Sequence, residues 1–244
     1  MKPLFNLRIY DAARNSWVEG LFAMNNTSML PTKKPSAYLE RFSEANLPTA
    51  RGTFRIIVFR DKRNGREHVA MVRGDVSGHP GVPVRIHSEC ITSEVFGSLK
   101  CDCRAQLDRA LDFIAQHPCG ILVYLRQEGR GIGLGNKIKA YALQEQGLDT
   151  VEANLKLGFP DDLRRYDIAA EMLRSLGVQS VDLITNNPLK IAGLVDEGIP
   201  VQRRIPSRTM STPINIEYLK TKRDRSGHLL ELESDAPLAG DKAG

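Results

Sequence analysis

The chain has 244 residues, 41% of them apolar, and its 34 Lys and Arg outnumber 29 Asp and Glu to leave a net charge of +5. That length can close one substantial core or two small ones without staples. No stretch approaches the roughly 18 apolar residues of a membrane span, and Met1-Lys2-Pro3-Leu4-Phe5-Asn6 lacks the apolar centre of a secretory signal, so no membrane and a cytoplasmic address are expected.

Residues 1–45 carry scattered apolar positions, Pro31, Pro35 and the polar run Asn25-Asn26-Thr27-Ser28, and read as an accessory extension without visible chemistry. From Gly52 an alternation places Phe54, Ile56 and Val58 on one strand face; Asn64-Gly65 turns the chain into Val69-Ala70-Met71-Val72, a β-hairpin. Val82, Val84 and Ile86 form another strand, which delivers Arg85, His87, Glu89 and Cys90 to its end. Leu107, Ala110, Leu111 and Ile114 keep helical spacing until His117-Pro118, and Gly120 to Leu125 reads as a buried strand followed by a glycine-rich loop. A second helix spans about Leu134 to Gln146, with Leu134, Ile138, Tyr141 and Ala142 as its apolar stripe and Gly147 as its stop. A third starts at Pro160, with Tyr166, Ala169, Ala170, Leu173 and Leu176 toward the core. Val181 to Ile184 is a strand and Pro188 to Glu197 a short helix. Strands alternating with helices after an antiparallel start predict an α/β fold, a mixed β-sheet core with flanking helices. The catalytic unit is expected over 46–230, and the small polar residues of 231–244 form a frayed tail.

The cysteines argue for metal rather than disulfides. Cys101 and Cys103 are separated only by Asp102, and Cys90 lies ten residues upstream of the pair. Three thiolates fall one short of a structural zinc site, and three ligands plus water form an arrangement that generates hydroxide at neutral pH. A structural site completed by His87 or His117, or joined by Cys119, is the competing reading. The positive charge suits a polyanion, and the isolated spacing of Arg126, Arg130, Lys137, Arg164 and Lys190 favours a small pocket over a nucleic-acid groove. The basic C-terminal quarter, with Arg203, Arg204, Arg208, Lys220, Lys222, Arg223 and Arg225, reads as a solvated face or a lid.

Several strings together carry a resemblance: Arg85-Ile86-His87-Ser88-Glu89-Cys90, Cys101-Asp102-Cys103, Arg126-Gln127-Glu128-Gly129-Arg130, Asn136 to Gln144, Asp149 to Asn154, Leu157-Gly158-Phe159 and Thr185-Asn186-Asn187-Pro188. In this order, over about Asn46 to Leu230, the chain resembles GTP cyclohydrolase II, which opens riboflavin biosynthesis. The extension before Gly52 is too short for the synthase domain of bifunctional members. The resemblance implies hydrolysis of GTP at two places, with C8 lost as formate and the triphosphate cleaved to release pyrophosphate. It implies one zinc ion per subunit on Cys90, Cys101 and Cys103, magnesium with the triphosphate, and a homodimer. By the same match Asp162 is the proton acceptor, Arg164 the nucleophile and Tyr141 a residue near the ring-opening metal. Arg85, Ile86, His87, Ser88, Glu89, Gln106, Glu128, Gly129, Arg130, Thr150, Thr185 and Lys190 correspond to GTP-binding positions.

Elementary chemistry weighs on these roles. A guanidinium is always protonated and a poor nucleophile, so charge stabilisation suits Arg164 better. Residue pattern alone makes Tyr141 a core tyrosine and either Asp161 or Asp162 a helix cap. A carboxylate, Glu89 being one candidate, can accept from the guanine N1–H and 2-amino group. Gly131, Gly135, Pro160 and the extension depart from the family pattern without removing a matched residue. A paralogue stopping at a formamide, and a zinc-stabilised nucleic-acid-binding module, are the alternatives.

Overall fold

Strand-forming residues dominate the first third of the chain. In the computed structural model, which describes residues 5–11, 16–22, 37–207 and 211–230, they build β1 (Phe5–Asp11), β2 (Ser16–Phe22), β3 (Leu39–Thr49), β4 (Gly52–Asp61), β5 (Glu67–Arg73) and β6 (Val82–Ser88). There follow α1 (Ile91–Glu94), α2 (Cys103–Ala115), β7 (Gly120–Leu125), a 3-10 turn (Glu128–Gly131), α3 (Leu134–Gln144), α4 (Thr150–Lys156) and α5 (Asp167–Ser175). The order closes with β8 (Val181–Ile184), α6 (Pro188–Asp196), β9 (Val201–Ile205) and α7 (Ile216–Asp224). The expectations for 25–28, Pro31, Pro35, Arg208 and the tail from 231 lie outside the described residues.

β1 and β2 pair antiparallel, and the remaining strands form one seven-stranded sheet in the order β3-β4-β5-β7-β6-β8-β9. β3, β4, β5 and β7 run antiparallel, whereas β7, β6, β8 and β9 run parallel, the mixed α/β sheet expected. β3 pairs with β4 from residue 39, so the sheet reaches across position 45 into the segment read as an extension. Its side chains are mostly exposed, which is why no apolar alternation announces it.

Both faces of the sheet are covered. On one, Ile57, Phe59, Ile86, Ile121, Val123 and Leu183 pack against Ala169, Met172 and Leu173 of α5 and Ile191 and Leu194 of α6. On the other, Phe54, Leu122 and Ile184 pack against Ala110 and Ile114 of α2. Truncating a fully buried residue such as Leu173 to Ala would cost about 2–5 kcal/mol. This two-sided burial corrects the hairpin reading: Ile57 and Phe59 are buried, while Ile56 and Val58 are only half-buried. The turn is also longer than Asn64-Gly65, spanning 62–66 with Gly65 at φ 72°.

Two helices differ from expectation in ways that matter for the site. The buried face of α3 is Lys137 and Ala140, and the apolar stripe is turned outward, with Leu134 39% and Ile138 48% exposed. The third helix starts at Asp167 rather than Pro160, leaving 157–166 as a connection after α4. Asp161 and Asp162 therefore do not cap it. The parallel strands β6, β7 and β8 end at one edge, the edge at which α/β sheets bind ligands, and bring 85–90, 126–131 and 185–190 together there. Among the described residues no helix is long and apolar enough to cross a membrane.

Candidate active site

β6 ends at Ser88, and two residues later Cys90 meets Cys101, just before α2, and Cys103, the first residue of α2. The three sulfurs lie within 4.8 Å of one another, with Cys90 Sγ 3.6 Å from Cys101 Sγ. Among the described residues no fourth His, Cys, Asp or Glu joins this group, and Cys119 instead packs against the core. Lys137 Nζ donates to Cys90 Sγ at 3.1 Å, to Thr92 Oγ1 at 2.8 Å and to Glu128 Oε1 at 2.8 Å. These partners draw the polar face of α3 inward and explain the exposed apolar stripe.

The thiols cannot share negative charge evenly. Hydrogen bonds from Cys101 and Cys103, helped by Lys137, hold Cys90 far below the usual thiol range. The same bonds, reinforced by burial, push Cys103 well above it. For Cys101 the bond with Cys103 lowers the value, but Cys90 and burial outweigh it and leave it raised. A soft cation among the sulfurs would relieve this frustration, so the donor set fits a thiolate-bound metal.

Asp102, between two of the thiols, turns away from them. Its carboxylate accepts from Gln106 Nε2 at 2.6 Å and from Lys222 Nζ of α7 at 2.8 Å, a pair buried on both sides. Lys222 is a site residue that its sequence context conceals, because it stands in a basic cluster with the pattern of a solvated face. Breaking a buried pair from one side strands a charge, so Lys222→Met should lower unfolding free energy in urea by about 3–5 kcal/mol, with Asp102→Asn in the same chain recovering much of it.

Across the cleft, Asp162 Oδ1 and Oδ2 grip Arg164 through Nε at 2.9 Å and Nη2 at 2.5 Å. Burial works against the Arg164 charge, but nearby Tyr166 and the Asp162 fork raise its pKa and keep it cationic. Burial likewise pushes Asp162 upward, yet Arg164 wins and lowers it. The loop facing them is braced by Gln127, whose side chain bonds both the N–H and the C=O of Arg165 at 3.0 and 2.9 Å. Arg130, at φ 55°, is the described non-glycine residue with positive φ, a costly backbone state often found at functional sites. Its guanidinium reaches Asp161 Oδ1 at 2.5 Å. Glu128 accepts from Ile91 N at 2.7 Å, Gly129 N at 2.9 Å and Lys137. It acts here as a brace between loop and thiols.

Two basic groups and a neutral histidine form the back wall. Arg85 Nη1 donates to the Ile184 carbonyl at 3.0 Å and Nη2 to Gln106 Oε1 at 2.5 Å, and burial pulls its pKa down to about 10. Lys190 donates to the Ile86 carbonyl at 2.7 Å and is held well below its usual pKa by burial, then by Arg85 and Arg164. Burial lowers His87 to about 4, against the pull of Glu94, so the ring is neutral near pH 7. His87 Nε2 donates to Glu94 Oε1 at 2.7 Å, while Tyr124 donates to Oε2 at 2.6 Å.

One cleft of about 580 Å³, the size of a small-molecule site, collects most of the expected residues. Its walls include the three cysteines, Tyr141, Arg164, Arg85, His87, Ser88, Glu89, Gln106, Glu128, Gly129, Arg130, Thr150, Thr185 and Lys190. Ile86 and Asp162 are not among them. The Ile86 side chain is core and only its carbonyl serves the site, while Asp162 reaches the cleft through Arg164. Tyr218, Lys222 and His228 close the cleft from the C-terminal segment. Tyr141 lines it near Lys137, and burial, partly offset by Lys137 and Thr92, raises its pKa, keeping the phenol a proton donor.

Residues 40–206 match the family GTP cyclohydrolase II. The "GTP cyclohydrolase-2" of Picrophilus torridus is 52% identical over 191 residues, 78% of this chain and 99% of that protein. The "Riboflavin biosynthesis protein RibBA" of Bacillus subtilis is 54% identical over 193 residues, 79% of this chain and 48% of its own. That of Phocaeicola vulgatus is 48% identical over 197 residues, 81% and 49% respectively. The chain thus spans nearly all of the first relative and about half of the other two.

Proposed function

The chain belongs to the GTP cyclohydrolase II family and is a hydrolase of that type, and from this premise we propose the reaction and the residues that carry it. GTP is opened at its imidazole ring with loss of formate and is cleaved to release pyrophosphate. The product is 2,5-diamino-6-(5-phosphoribosylamino)pyrimidin-4(3H)-one, the first step of riboflavin biosynthesis. The observation that supports this most is the three-sulfur cluster in the same nucleotide-sized cleft as Tyr141 and the Arg164–Asp162 fork.

Cys90, Cys101 and Cys103 would hold zinc, which with an open position lowers the pKa of water to near neutrality. Tyr141, a protonated phenol beside this cluster, donates a hydrogen bond or proton to the charge that develops as the ring opens. Arg164, fixed by Asp162, stabilises the phosphoryl transition state, with Arg130 beside it and magnesium accompanying the triphosphate. In this reading Asp162 orients Arg164 through the fork. The remaining assignments extend the proposal: a catalytic unit over 46–230 to which β3 is joined, a homodimer, and a cytoplasmic location.

The test is to incubate zinc-loaded protein with GTP and follow formate, pyrophosphate and the pyrimidine together. All three should appear in equal amounts. Pyrophosphate without formate would reduce the activity to a partial one, and oligonucleotide binding without GTP consumption would overturn the reading. Tyr141→Phe should cut formate release by about 100-fold or more, the scale of positioned proton transfer, while pyrophosphate release persists. Wild-type formate release in that variant would leave Tyr141 a packing residue.

A further inference from the structure

The segment Thr185-Asn186-Asn187-Pro188 supplies one of the positions already discussed, Thr185, and Lys190 lies just beyond it, but its second asparagine, Asn187, has no role in them. Asn187 is the N-cap of α6, with Pro188 at the first helical position. Its Oδ1 accepts from Leu189 N at 2.9 Å, and Thr185 Oγ1 accepts from the Asn187 N–H at 3.0 Å. The cap decides which end of the amide is oxygen, since an NH₂ in that place would face another N–H. Nδ2 therefore points the other way.

There it has no partner. Asn187 is 3% exposed and lines the cleft, and Nδ2 is buried without a hydrogen bond. Orphaned buried donors are costly and uncommon in folded chains. Arg85 Nε, His87 Nδ1 and Ser88 Oγ are orphaned in residues that line the same cleft, whereas His68 Nε2 and Tyr166 Oη, the other such atoms among the described residues, belong to residues that do not line it. Unmet polar groups thus gather where a polar ligand binds. Around Asn187 the setting favours an anionic part of the ligand: Lys190 lies one turn along α6, Arg85 and Arg164 line the same cleft, and the helix N-terminus adds its positive end.

We propose that Asn187 is a further substrate-binding residue, its Nδ2 donating to a phosphate oxygen of the nucleotide. This rests on the reading that the cleft takes GTP. Thr185 then has a second duty, holding the Asn187 backbone so that cap and donor are set together.

Asn187→Asp and Asn187→Ser both keep a competent N-cap and remove the amide donor. Titrating each with a non-hydrolysable GTP analogue, and in parallel with guanosine, separates phosphate contact from base contact. Loss of a hydrogen bond to a charged oxygen predicts a Kd for the analogue raised about 10-fold or more in the serine variant, and further in the aspartate variant through repulsion. Guanosine binding should stay at the wild-type level, as should the melting temperatures. An unchanged analogue Kd in the serine variant, or an equal loss for guanosine, would overturn the assignment. If the wild-type protein itself fails to bind the analogue, the GTP reading falls and this inference with it; wild-type binding with unaffected variants sinks the inference alone.

Discussion

Cys101→Ser is expected to abolish formate release while leaving measurable pyrophosphate release. A serine hydroxyl does not ionise near neutral pH, so the substitution leaves two sulfurs where three are needed to hold a cation and keep one position free. Even residues that merely support metal ligands command 10–100-fold in affinity or activity, so losing a ligand should cost at least about 100-fold in ring opening. The phosphate side should survive because its geometry does not pass through the sulfurs. Arg164 is held by Asp162, Arg130 by Asp161, and the Arg165 backbone by Gln127. Bound zinc, formate and pyrophosphate should be measured on one preparation. A zinc-free variant that still releases formate at the wild-type rate would remove the metal from the chemistry. Parallel loss of both products, in a protein that remains folded, would mean that the two hydrolyses share the thiol cluster.

Much of this site was legible in the sequence because strand ends are simple to read. Val82, Val84 and Ile86 announce a buried strand, and the residues after it must emerge at the sheet edge. What could not be read was where polar groups overrule periodicity. The stripe of Leu134 and Ile138 predicts the wrong buried face for α3, because Lys137 finds Glu128, Thr92 and Cys90 together beneath it. Pro160 followed by acidic residues has the composition of a helix start. Yet Leu163 N is taken by the Arg130 carbonyl, Arg164 N by Asp162 Oδ1 and Arg165 N by Gln127 Oε1, so no helical ladder forms before Asp167. α4 is short and rests on a capping box from Asp149 and Glu152 rather than on an apolar face. α7 reads as a solvated basic segment, and its inward face depends on Asp102, 120 positions away in the chain.

Arg164→Lys should reduce pyrophosphate release by about 10³-fold, the scale at which an arginine that stabilises a transferring phosphoryl group contributes. Lysine keeps the charge but has no planar fork, so it cannot accept the two-point grip of Asp162 and place a donor at the phosphate at once. Asp162→Asn tells the two possible duties of the carboxylate apart. If Asp162 acts by fixing Arg164, its removal should matter far less once Arg164 is already lysine, and the two losses will not add. If Asp162 instead accepts a proton in its own right, the double variant should lose the product of the two single effects. The geometry favours the first outcome: Asp162 does not line the cleft, and both of its oxygens are committed to the guanidinium behind which it sits. An additive double variant would bring Asp162 forward as a base and require the loop 157–166 to rearrange when substrate binds.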